Sequence, residues 1–115
     1  YIIGAEPATG SAGVFYEAPL SNLTGGWSLT GTGGPAVFSG RCMIYRNTVF
    51  HFGGETGTGN NASTAVTNVY KATIQNGSLS AWSTVTGTGF PQLSRFPLVV
   101  AGDFVYAFGD TLYIF

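Results

Sequence analysis

Few residues in this sequence can do chemistry, and each has a plainer alternative. His51 is the single histidine and Cys42 the single cysteine. A metal centre or an activated nucleophile needs partner ligands or a nearby base, and no His or Cys cluster supplies them. On a strand, His51 points away from Phe50 and Phe52, and it reads as a structural residue. Cys42 stands in the apolar run Cys42-Met43-Ile44-Tyr45 and reads as a small buried hydrophobe. With one cysteine there is no internal disulfide framework. The carboxylates Glu6, Glu17, Glu55, Asp103 and Asp110 form no close pair along the chain. Glu6, Glu55 and Asp110 each follow a glycine that ends an aromatic strand, so a radially symmetric fold would bring them to one rim. Paired acids there could hydrolyse a glycosidic bond; the plainer reading is a solvated acid at a strand end. Gly31-Thr32-Gly33 and Gly87-Thr88-Gly89 lack the lysine and the following helix of a phosphate loop, and read as turns. Trp27 and Trp82 could stack on sugar rings if exposed, but packing inside the fold is the preferred reading. No cofactor, metal or catalytic residue is implied.

The elements that position these residues recur. Val49-Phe50-His51-Phe52-Gly53-Gly54-Glu55 returns 56 positions later as Val105-Tyr106-Ala107-Phe108-Gly109-Asp110, and a clipped copy opens the chain as Tyr1-Ile2-Ile3-Gly4-Ala5-Glu6. Tyr16 matches Tyr70, Trp27 matches Trp82, and Cys42-Met43-Ile44 matches Leu98-Val99-Val100, with offsets between 54 and 56. Strands are expected at Val14–Ala18, Trp27–Leu29, Arg41–Tyr45, Val49–Phe52, Val69–Ile74, Ala81–Val85, Leu98–Val100 and Phe104–Phe108. Gly, Pro and Asn-Gly turns separate them. Helix signals are close to absent, so the fold class is all-β. A period near 50 with four strands per unit is the sequence sign of a propeller blade.

An aromatic strand ending Gly-Gly, a variable loop, a strand with Tyr, and a Trp about a dozen residues on resembles the kelch motif. Phe50, Gly53, Gly54, Tyr70 and Trp82 carry the marks, with Gly4, Tyr16 and Trp27 as a partial preceding set and Gly109 opening the next. The stretch from Tyr70-Lys71-Ala72 through Asn76-Gly77-Ser78-Leu79 to Trp82 is similar to a kelch-like variant of bacterial and phage surface proteins. The second glycine is replaced by Ala5 in one copy and Asp110 in another. The resemblance implies about two four-stranded blades of a β-propeller plus partial neighbours. Residues 1–13 would end a preceding blade, 14–54 form the first repeat, 55–110 the second, and 111–115 begin a following one. The link from Asp110 to Leu112 looks too short to turn between two strands of one sheet. That suggests missing loop residues, or a different element at 111–115.

Charge and length limit the partners. Asp, Glu, Lys and Arg make up 8% of the 115 residues, against an average near 25%. Arg41, Arg46, Lys71 and Arg95 are scattered and give no phosphate-binding footprint, so nucleic acid is not an expected partner. No run of apolar residues is long enough for a membrane span. The neutral Thr/Ser/Asn/Gly surface suits an extracellular, cell-surface or virion protein. Asn22, Asn61 and Asn76 match the N-glycosylation pattern. A propeller needs roughly four to eight blades to cover every face, so further blades in the same chain or identical subunits are expected, with a longer polypeptide preferred. The expected function is non-enzymatic recognition or a structural role, binding protein or glycan through blade-edge loops. The loop from Glu55 to Asn68, with Asn60 and Asn61, is the candidate ligand-facing segment. The alternative is part of a carbohydrate-active propeller enzyme whose site lies on other blades.

Overall fold

The β-branched and aromatic run from Thr48 to Phe52 forms a strand between two others, because it can pack on both faces of a pleated sheet. The computed structural model describes residues 16–29, 37, 39–56, 65–109 and 112–114. The expectations for Gly4, Glu6, Asn60, Asn61 and Asp110 lie outside the described residues. All elements described are strands: β1 (Tyr16–Glu17), β2 (Ser28–Leu29), β3 (Arg41–Tyr45), β4 (Thr48–Phe52), β5 (Val69–Gln75), β6 (Ser78–Leu79), β7 (Ser83–Val85), β8 (Leu98–Ala101), β9 (Phe104–Phe108) and β10 (Leu112–Ile114). Every pairing is antiparallel, and the protein is all-β.

The pairings repeat with the sequence. In the β3–β4 hairpin Cys42, Met43 and Ile44 stand opposite His51, Phe50 and Val49. In β8–β9 their counterparts Leu98, Val99 and Val100 stand opposite Ala107, Tyr106 and Val105. The turns match too. Arg46 and Gly102 both have left-handed backbone, at φ 53° and 59°. Tyr16 pairs with Leu29 and Glu17 with Ser28, as Tyr70 pairs with Thr84 and Lys71 with Ser83. Phe52 and His51 face Val69 and Tyr70 across β4–β5, and Phe108 and Ala107 face Leu112 and Tyr113 across β9–β10.

Leu112–Ile114 pairs antiparallel with β9, and residues 110–111 between them lie outside the described residues. One correction concerns the outer strand, expected as one run at Ala81–Val85. It begins at once after the Asn76-Gly77 turn, whose φ values of 50° and 80° fit a type I′ hairpin. It breaks, then resumes as β7 along the same edge of β5. Ser80 causes the break: its N–H donates to the Thr73 carbonyl, while its hydroxyl accepts from the Thr73 N–H at 2.8 Å. A side-chain oxygen thus stands where the ladder carbonyl would be.

The sheet containing β3, β4, β5, β6 and β7 buries apolar groups on both faces. On one, Val49, Ala72, Leu79 and Trp82 form a cluster with Tyr70 and Ile74 against it. On the other, Phe52 and Val69 meet Phe90 and Phe96 from the loop before β8 and Ala107 from β9. The second cluster joins the sheet to the β8–β10 sheet, and the equivalent strands β3 and β8 lie near each other.

Candidate functional site

Strand alternation sets the surroundings of His51. Its ring lies on the face opposite Phe52, edge-on to Tyr70 with centroids 6.2 Å apart. The site is closed by Gly40, whose missing side chain makes room: a Cβ there would collide with His51 Cε1 and lie 2.7 Å from Nε2. Burial lowers the imidazole pKa to about 4. A neutral, enclosed imidazole whose Nδ1 has no hydrogen-bond partner is poorly placed for proton transfer at neutral pH. Cys42, directly across the ladder, is half-buried with a free thiol. Desolvation raises its pKa to about 12, with Arg41 opposing weakly, so it is a thiol and not a thiolate nucleophile. Among the described residues no group of three or more His, Cys, Asp or Glu side chains could hold a metal ion.

The glycine pair performs a close-packing task. Gly53 has φ +57°, and a Cβ there would strike the Leu93 carbonyl oxygen and come within 2.9 Å of Phe90 and 3.2 Å of Phe96. Its N–H donates to Asn68 O, and Gly54 N–H donates to Leu93 O, both at 2.9 Å. The pair therefore lets the loop before β8 lie directly on the end of β4. Gly109, the counterpart, is exposed.

Glu55 follows this junction, and here the solvated acid expected from sequence is corrected. The residue is buried and bridges Ala65 in the returning chain. Its Oε1 accepts from Arg95 Nε at 2.9 Å; the carboxylate side chain is 10% exposed and the guanidinium side chain 72%. Arg95 also has left-handed backbone, as does Ser39, its counterpart 56 positions earlier. The Arg95 N–H donates to Ser39 O at 2.8 Å. The acid anchors, and the arginine is presented to solvent. Arg95, Gln92, Ser94, Ala65, Phe108 and Gly109 line a recess of about 390 Å³. Antiparallel order puts the end of β4, the start of β5 and the connection 86–97 at one end of the sheets, opposite the turns at 46–47, 76–77 and 102–103. Sequence reasoning singled out Glu55 and missed Arg95; the repeat alignment with Ser39 gave no sign of an ion pair across 40 residues.

The two tryptophans differ. Trp82 is in the core at 8% exposure, whereas Trp27 is 37% exposed. The Trp27 indole N–H donates to Leu23 O at 2.8 Å, which fixes the ring over its own turn. An apolar cleft of about 200 Å³ also opens between the sheets, lined by Met43, Tyr45, Phe50, Val100 and Phe104. Among the described residues no helix is long and apolar enough to cross a membrane. No family model, no curated protein and no solved structure matches this sequence.

Proposed function

We propose that the protein is a recognition or structural module built from kelch-like β-propeller blades, about two of them with parts of neighbours. Its ligand is a protein or glycan held at the blade edge without covalent chemistry. The observation that carries this reading is the repeated strand register. Equivalent residues make equivalent pairs in successive units, as stacked supersecondary repeats require. A repeated sheet whose connection 86–97 leaves from one end is suited to recognition by loops. Arg95, held by Glu55 and flanked by Gln92 and Ser94, supplies several donors on a fixed base, which suits hydroxyl-rich or peptide carbonyl ligands. Low charge is in keeping with an extracellular, cell-surface or virion setting. Partners in this reading are the ligand and further blades, in the same chain or in identical subunits.

The test is binding of the intact chain to glycan and protein arrays, repeated with Arg95→Ala and Gln92→Ala. Loss of at least roughly tenfold in affinity for any captured ligand, the effect of removing one or two charge-assisted hydrogen bonds, is the expected result. Binding that is unchanged in both variants would remove the recess from the recognition surface.

A further inference from the structure

The equivalent hairpins β3–β4 and β8–β9 lie side by side, and the apolar cleft of about 200 Å³ opens between them. Its floor is Met43, Phe50, Phe52 and Val105, which belong to or pack against the cluster joining the two sheets. Its rim is Tyr45, Val100, Asp103 and Phe104, all exposed. Four aromatic residues therefore line one small space, and a carboxylate stands at its mouth. The Phe50 and Phe52 rings are in contact at 6.3 Å, so part of that lining is held by packing within β4.

The chemistry of this lining favours one kind of occupant. Aromatic faces are electron-rich and attract cations, the more so where water is excluded. At this end of the sheets Arg46 already rests over the Tyr45 ring, 5.2 Å from its centroid. Asp103 has no ion-pair partner among the described residues, and supplies the charge that balances a second cation beside Arg46. The counterpart of Arg46 is Gly102, which has no side chain and open space around it, so the mouth stays clear on that side. A primary ammonium would bring three N–H donors, and the lining offers only Asp103 and the Tyr45 hydroxyl as side-chain oxygen acceptors. A quaternary ammonium brings none, and its methyl groups can be buried against Met43, Val100 and Val105 at no hydrogen-bonding cost. The volume is below the roughly 300–1,000 Å³ of sites for drug-sized ligands, which suits a compact head group.

We propose that this cleft binds a small soluble compound bearing a quaternary ammonium group, held by cation–π contact with Phe104, Phe50 and Tyr45 and by the charge of Asp103. No covalent bond is made or broken. The cleft opens beside the turns at 46–47 and 102–103, at the opposite end of the sheets from the Arg95 recess. Ligand binding at one is therefore independent of the other, and the two sites fail or succeed separately.

The test is calorimetric titration of the intact chain with choline, with tetramethylammonium and with the uncharged isostere of choline in which carbon replaces nitrogen. Both cations are expected to bind, and the isostere to bind at least about threefold more weakly than choline, the low end of a cation–π contact. Added salt should weaken choline binding and spare the isostere. Phe104→Ala and Asp103→Asn, both at exposed positions, should each weaken choline by roughly threefold to thirtyfold, with circular dichroism checking that the strands are kept. No binding of either cation at millimolar concentration would overturn the proposal. Equal affinity for the uncharged isostere would reduce the cleft to a gap between sheets and overturn it too. So would Phe104→Ala and Asp103→Asn variants that bind choline like wild type. Binding to phosphatidylcholine vesicles without binding of free choline would rule out a soluble ligand.

Discussion

At His51, burial decides the protonation state and so couples stability to acidity. The folded pKa of about 4 lies below the ordinary value of 6.5. Between these values the unfolded chain binds the extra proton, so stability is fully present above the upper one and is lost as pH falls toward the lower. Urea unfolding should show a loss of about 2 kcal/mol between pH 7 and pH 5. His51→Ala, which adopts the residue type of the Ala107 counterpart, should remove that component of the slope. The direction of the His51 side chain was legible in the strand alternation; the need for Gly40 beside it was not, because the two meet only across the folded sheet. Gly53 poses a similar case. Gly53→Ala should cost roughly 2–4 kcal/mol, combining left-handed strain with overpacking. Gly102→Ala, left-handed but with open space around the new Cβ, should cost about 1 kcal/mol. Shifts in the urea midpoint separate the two. The sequence marked both as turn glycines, but the Leu93 carbonyl above Gly53 comes from a loop 40 positions away.

Among the elements, the outer strand shows what a repeat alignment reads and what it omits. Trp82 was legible as a landmark and lies in the core, whereas its counterpart Trp27 has one flank toward solvent. Trp82→Ala should destabilise by about 3–5 kcal/mol, as expected for deleting a buried large aromatic. Trp27→Ala should cost under about 1 kcal/mol, as for a partly exposed residue. Thermal unfolding of the two variants checks the contrast, and a soluble quencher should reach Trp27 fluorescence and spare Trp82. The break between β6 and β7 was hidden because a serine hydroxyl that substitutes for a backbone carbonyl leaves no periodic trace.

For the whole molecule, the order of strands, the pairing of units and the need to cover apolar blade faces were legible in the spacing of landmarks, while which side chains stay exposed was not. Exposure is a property of what covers a surface, and a sequence names the residues without naming the cover. The shared register has a further consequence for how such a chain can change length. Because the hairpin pairings described recur at offsets of 54 to 56 residues, a tandem duplication of one full period keeps each landmark opposite its usual partner. A duplication out of phase would orphan a strand edge at each junction. Genes of this design can therefore grow or shrink by recombination in whole periods without first evolving a new core.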